Sequence, residues 1–218
     1  MALRPAEVLD VGCGTGKAAV QFAARGLPVL GVEVDEQMAE VARGHGIPVE
    51  VGSFETWEDA GRQFDLITCA QAWHWVDPVP GVAKAARVLR PGGAIARFWN
   101  YHEFDPPVRA AFDAVYGRYA PQLKVPGHWQ FDRSHADPFA EQEGFARVVS
   151  RDYRWEQTYP AEQWVRLVAT YSDHLRLAPA DLAAVQAALR AAIGDLGGTL
   201  EVHYGTFLQL AHRTGTDR

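Results

Sequence analysis

The sequence predicts an α/β protein organised around a parallel sheet, and three observations carry that expectation. Over the first hundred residues short β-type runs alternate with helical patterns, the rhythm of strands that each return through a helix. A glycine-rich turn, Gly12-Cys-Gly-Thr-Gly16, follows the first of these runs directly. The 218 residues, 48% of them hydrophobic and 22% charged, suffice for an ordinary core in one domain, or a domain with an appended lid.

The elements follow in order. Glu7–Val11 is predicted strand 1, and its glycine turn leads into a helix over about Lys17–Ala24. Gly26 and Pro28 punctuate the chain before strand 2, Val29–Val34. Asp35 is placed to cap a helix running to about Arg43, closed by Gly44 and Gly46. Pro48–Val51 reads as strand 3 and Phe64–Cys69 as strand 4, followed by a helix over about Val79–Leu89. Pro91-Gly-Gly93 is expected to turn the chain into strand 5, Ala94–Trp99. After Asn100 the rhythm changes: residues 101–140 are rich in Pro, Asp and aromatic side chains, with a helix expected only at about Pro107–Tyr119. A connection of that length is of the kind that forms functional lids. Strand-like Arg147–Trp155, helices near Ala161–Tyr171 and Pro179–Ile193, and a final strand at Thr199–Ala211 complete the chain.

Composition excludes several classes. The net charge is −6, and the 18 arginines and 3 lysines are scattered singly, which argues against a phosphate-neutralising surface. Two cysteines, Cys13 and Cys69, make no disulfide framework, and no metal-ligand spacing of the Cys-x-x-Cys kind is present. No apolar run approaches the ~18 residues of a membrane span and no signal segment is seen, so a cytoplasmic protein without membrane or metal is expected.

The chemistry points to a nucleoside. Glycines after strand 1 let a ligand sit against main-chain N–H groups, and a following helix presents its positive end to an anionic group. Glu33, about twenty residues beyond Gly12, stands where an acidic side chain can accept hydrogen bonds from ribose hydroxyls. A dinucleotide fingerprint needs G-x-G-x-x-G, whereas the third glycine here is Gly16 and position 17 is Lys, so a nicotinamide cofactor fits poorly.

The nine residues Val8–Gly16 with Gly31-Val-Glu-Val-Asp35 resemble the first motif and its continuation in class I methyltransferases that use S-adenosylmethionine (SAM). Gln63–Trp75 resembles the strand 4 motif of that family and Val88–Gly93 the approach to its strand 5. The His74-Trp75 pair and the Trp99-Asn100 end of strand 5 are similar to the trans-aconitate methyltransferase-like subgroup. The resemblance implies a Rossmann-like seven-stranded sheet of order 3-2-1-4-5-7-6 with strand 7 antiparallel, helices on both faces, and a helical lid inserted after strand 5. It implies a single domain over 1–218, with a core of 1–100 and about 145–213, a lid at about 101–144 and helices within 160–194.

It also implies roles. Gly12, Gly14 and Gly16 approach the methionyl part of SAM, with Cys13 and Thr15 on the same loop, and Asp10 orders that loop. Glu33, followed by Val34, holds the ribose; Met38 either touches the adenine or fills the core. Serine stands at position 53, where the family often has an acidic residue for the adenine amino group, which makes Ser53 and the Phe54 N–H the candidates there. Ala70, Gln71 and Ala72 line the reacting end. His74 is the candidate base, against the alternative that the His-Trp pair only packs beneath the site. Trp73, Trp75 and Trp99 are candidates to face the sulfonium, against the alternative that each packs in the core, and His128, Trp129, Tyr171 and His174 are candidates to shape an acceptor pocket, against the alternative of a purely structural lid. The strand 4 segment Gln71-Ala-Trp-His74 lacks the Asn/Asp-Pro-Pro-aromatic run of enzymes that methylate DNA bases, so a small-molecule acceptor, as a carboxylate or hydroxyl, is expected, with S-adenosylhomocysteine as product. Met1–Ala6 is a short lead into strand 1, so either the insertion closes the site, a second subunit of a homodimer does, or the site stays open. The rival readings are a SAM-binding protein without transferase activity, a protein or nucleic-acid methyltransferase, and a dehydrogenase.

Overall fold

The computed structural model describes residues 5–126, 137–140, 142–146 and 148–215. His128 and Trp129 lie outside the described residues. The chain divides into two compact units, the first comprising Met1–Trp99, Arg133–Arg151 and Phe207–Arg218, the second Asn100–Asp132 and Asp152–Thr206. The sequence reading placed an insertion at about 101–144; the second unit joins the first part of that stretch to the later helices.

In the first unit, β1 (Val8–Val11) lies between β2 (Val29–Glu33) and β4 (Phe64–Ala70), and β3 (Val49–Val51) pairs with β2. All three pairings are parallel, as is that of β4 with β5 (Leu89–Glu103). All four residues of β1 are buried, the near-continuous burial expected of a strand covered on both faces. With β6 (Val149–Pro160) and β7 (Thr199–His212) the sheet has seven strands in the order β3-β2-β1-β4-β5-β7-β6. Strand β7 runs against β5. Arg213, one residue beyond β7, exchanges backbone hydrogen bonds with Gly92 and Gly93, whereas Thr206 hydrogen-bonds Asn100 further along β5. Order and reversed final strand are those the resemblance implied.

Two local expectations change. The predicted helix Lys17–Ala24 shortens to α1 (Ala19–Ala23), because Thr15–Ala18 forms turns and the cap, Ala18, has no side-chain acceptor. Pro91-Gly-Gly93 does not precede strand 5 but lies inside it: Phe64 pairs with Leu89 and Leu66 with Ala94, so the three residues are accommodated as a bulge. Gly92, at φ +78°, adopts the backbone the bulge needs.

Helix α2 (Glu36–Gly44) starts as expected. Asp35 Oδ1 accepts from the N–H groups of Gln37 (2.8 Å) and Met38 (3.2 Å), a cap worth about 1 kcal/mol. Asp77 caps α3 (Pro78–Val88) in the same way, through the N–H of Val79 at 3.1 Å, with proline at the first helical position. The second unit packs α4 (Pro106–Tyr119), α5 (Ala161–Val168) and α6 (Pro179–Asp195) around a core that includes Phe112, Trp164, Leu189 and Ile193, joined by Leu200 and Val202 of β7. Among the described residues, no helix is long and apolar enough to cross a membrane.

Candidate functional site

The carboxyl end of β1 runs straight into the glycine loop. Gly12, Gly14 and Gly16 all have positive φ, at +62°, +53° and +81°. At Gly12 the requirement is doubled, since a Cβ there would lie 2.5 Å from the Cβ of Ala72, on the loop after β4. Three of the five residues 12–16 thus have no side chain, and Ala72 packs directly on the first of them. Cys13 turns inward, its sulfur filling the space beside Gly31, and Thr15 is half-buried on the same loop. Both cysteines are free thiols. Burial, reinforced by the Asp10 and Glu33 carboxylates, pushes the Cys13 thiol up to about 12, and burial raises the Cys69 thiol as well.

Two carboxylates flank this loop. Glu33, at the end of β2 and 7% exposed, is the loop's main anchor: Oε2 accepts from the Gly14 N–H at 2.7 Å, and Oε1 from the N–H groups of Val34 (2.9 Å) and Asp35 (3.1 Å). A carboxylate offers about four acceptor positions, so roughly one is left for a ligand hydroxyl. Asp10 is buried at the base of the loop. Its Oδ1 accepts from Thr68 Oγ at 2.6 Å, and its Oδ2 has no hydrogen-bond partner among the described residues. Burial raises its pKa to about 6, helped by the Glu33 charge and opposed by the Thr68 hydroxyl and the Ala19 N–H. Sequence reading gave the ordering of the loop to Asp10 and ligand binding to Glu33; in the structure Glu33 holds the loop amide and Asp10 keeps the unpartnered oxygen.

Met38, 46% exposed on α2, brings its sulfur to 3.9 Å from where a Gly14 Cβ would stand. After β3, Ser53 donates from its hydroxyl to Glu55, whose other oxygen accepts from the Asp77 N–H at 2.8 Å. Partial burial works against the Glu55 charge, but these bonds outweigh it and hold the carboxyl below its ordinary value. Glu55, two residues beyond Ser53, is the acidic group of this loop. The Phe54 ring is buried, 6.3 Å from that of Trp73.

Ala70 ends β4, and Gln71 takes the left-handed backbone at φ +59°, unusual for a side chain with a Cβ and of the strained kind that clusters at functional sites. Its N–H donates to the Phe98 carbonyl at 2.9 Å. Ala72 then meets Gly12, and Trp73–Trp75 forms one 3-10 turn. The three aromatic residues part company there. Trp73 is buried, whereas Trp75 is 79% exposed and His74, exposed beside it, has its ring 4.9 Å away. Partial burial lowers the His74 pKa. Trp99 is buried and stacks on Phe207 at 6.5 Å.

Sequence reasoning missed a charged pair in this unit. Arg97, on β5 and 1% exposed, forms an ion pair with Asp137 at 2.5 Å and lies 4.5 Å from the Phe139 ring and 5.8 Å from that of Trp73. An arginine inside an apolar strand run was the available signal, though its partner stands forty residues away in a stretch without pattern. Tyr171 and His174 belong to the second unit. His174 is fully buried between Tyr116 Oη (2.8 Å, to Nε2) and Asp173 Oδ1 (2.7 Å, to Nδ1), a satisfied core histidine.

A bare glycine loop, a buried carboxylate at the end of β1, a second at the end of β2, and this strand order define the class I methyltransferase fold. Over residues 8–93 the chain matches the model of a methyltransferase domain family. It is 42% identical over 96 residues to an uncharacterized methyltransferase of Mycobacterium tuberculosis, covering 43% of this chain and 39% of the relative. A ubiquinone biosynthesis O-methyltransferase of Thiobacillus denitrificans is 38% identical over 95 residues, 40% of this chain and 41% of the relative. The chain thus matches only 39% to 41% of the length of these relatives. Among solved structures, a protein of Anaeromyxobacter dehalogenans provisionally described as a type II methyltransferase superimposes with a TM-score of 0.67, covering 96% of this chain and 91% of its own, at 23% identity. The YcgJ protein of Bacillus subtilis gives 0.54, 96% and 92%, at 20% identity. At such identities the likeness is one of fold.

Proposed function

We propose that the protein transfers the methyl group of SAM to an oxygen, carboxylate or hydroxyl, of a small-molecule acceptor in the cytoplasm. The observation that carries the cofactor assignment is the pairing of a bare glycine loop with the unpartnered Asp10 Oδ2. A fixed, buried carboxylate oxygen suits an ammonium group, and a loop with glycine at three of five positions suits close approach of the rest of an amino-acid moiety. Bound SAM supplies an electrophilic methyl group on a sulfonium, which is chemistry the protein need not create. The chain's own part is to grip and orient. Asp10 accepts from the ammonium, the remaining acceptor position of Glu33 takes a ribose hydroxyl, and Glu55 with Ser53 offers acceptors for an adenine amino group. Gln71 and Ala72 bound the reacting side. Holding two reactants in line is worth ~7–11 kcal/mol in favourable cases. The similarity to a ubiquinone biosynthesis O-methyltransferase supports an oxygen acceptor, and the net charge of −6 speaks against nucleic acid.

Calorimetric titration tests the assignment: S-adenosylhomocysteine should bind and NAD should not, and Gly12→Ala should abolish binding by driving Ala72 against the loop. Tighter binding of NAD would overturn the reading. Methyl-labelled SAM incubated with a small-metabolite extract should yield labelled product, and a protein that binds the cofactor but never transfers label would be a sensor instead. For a hydroxyl acceptor, His74, whose partial burial favours the neutral ring, takes the hydroxyl proton; a carboxylate acceptor has no proton to lose and needs no base. His74→Ala should then lower kcat by ~10²-fold with cofactor affinity unchanged, since general bases contribute 10²–10⁴-fold. Parallel losses in both would assign the residue to packing.

A further inference from the structure

We propose a divalent-metal site in the second unit, formed by Glu156 of β6 and Glu201 and His203 of β7, with Asp105 at the start of α4 beside them, and suited to zinc. Residues 201 and 203 are two apart on one strand and so share a face of the sheet. Strand β6 is the neighbour of β7 and contributes Glu156 to the cluster. One donor atom from each of Glu156, Glu201 and His203 lies within 4.8 Å of the others. Asp105 adds a third carboxylate, with Oδ1 3.2 Å from His203 Nε2, while His203 Nδ1 stands 3.2 Å from Glu156. The Glu201 carboxylate is 3.9 Å from Nε2, too far for a hydrogen bond but within the span of two metal–ligand bonds of ~2.0–2.2 Å.

Charge points the same way. Three carboxylates surround one imidazole, and the guanidinium of Arg154 is engaged elsewhere, 4.0 Å from Glu103 and over the Tyr101 ring. A cavity of about 470 Å³ lined by Arg154, Trp155, Glu156, His203 and Tyr204 gives solvent access to the cluster. One imidazole nitrogen with carboxylate oxygens is a donor set for zinc and its first-row neighbours. The site is independent of methyl transfer, and the ion would tie α4, β6 and β7 together.

The test is calorimetric titration of chelator-stripped full chain with zinc chloride. One zinc per chain should bind, and His203→Ala and Glu201→Gln should each weaken it by about 10-fold or more while S-adenosylhomocysteine affinity stays unchanged. Magnesium, which prefers all-oxygen octahedra, should bind at least about 10-fold more weakly. Circular dichroism checks folding; should His203→Ala not fold, Glu156→Gln, largely exposed, replaces it. Absence of zinc binding, equal magnesium binding, or zinc affinity indifferent to the substitutions would each overturn the proposal.

Discussion

Asp10→Asn is expected to make the ligand-free protein more stable above pH 6 and a poor binder of the cofactor. The folded-state pKa of Asp10 is raised to about 6 from an ordinary value of 3.8, mainly by burial. A raised carboxyl contributes its stability in full below pH 3.8, where it is protonated whether the chain is folded or not. That contribution is lost as pH rises through about 6, because the folded chain must then hold a buried charge. A shift of that size corresponds to about 3 kcal/mol. Asparagine is neutral throughout, so urea midpoints of the two proteins should converge near pH 4, separate between pH 4 and 7, and run parallel above. Affinity should fall the other way, by about 10- to 100-fold, the range of a hydrogen bond to a charged group. Identical pH dependence of the two proteins would show that Asp10 carries no such burden.

Glu33→Ala should produce the second large effect, on the loop before the ligand. Three backbone N–H groups, of Gly14, Val34 and Asp35, lose their acceptor together. Hydrogen bonds to charged groups contribute ~1.5–3 kcal/mol each, and water can replace part of this at a half-buried loop, so a net loss of about 2–4 kcal/mol in cofactor binding is expected. Hydrogen exchange separates the cause. The Gly14 amide should lose protection in the ligand-free variant; if protection persists while affinity falls, Glu33 acts on the ligand and not on the loop. Glu33→Gln should lie between the two, because an amide can accept on one side only.

Much of this was readable before any coordinate. The strand order came with the family resemblance carried by Val8–Gly16, Glu33 and the strand 4 segment, and the cap at Asp35 followed from local chemistry alone. Where reading stopped, the cause is sequence separation. Arg97 is buried because Asp137 neutralises it, and nothing near Asp137 shows a pattern that announces a partner. Asp77 ties Glu55 to the far side of β4, a bond between residues 22 apart. The bulge at Pro91–Gly93 imitates a turn, since the same residues serve both, and pairing with β4 decides between them. His203 gathers carboxylates from three elements that only the sheet brings together. Short-range chemistry is written in short stretches of chain, and charge pairs across the sheet are not.

The contact between Gly12 and Ala72 sets a limit on how such a protein can change over evolutionary time. The loop after β1 and the loop after β4 touch where position 12 has no room for another carbon, a Cβ there lying 2.5 Å from the Cβ of Ala72. Position 12 is therefore confined to glycine as long as residue 72 carries a Cβ, whatever molecule the protein handles. Diversification of the acceptor side leaves that position untouched, so two descendants that accept different molecules and keep a Cβ at residue 72 should differ elsewhere while agreeing at Gly12.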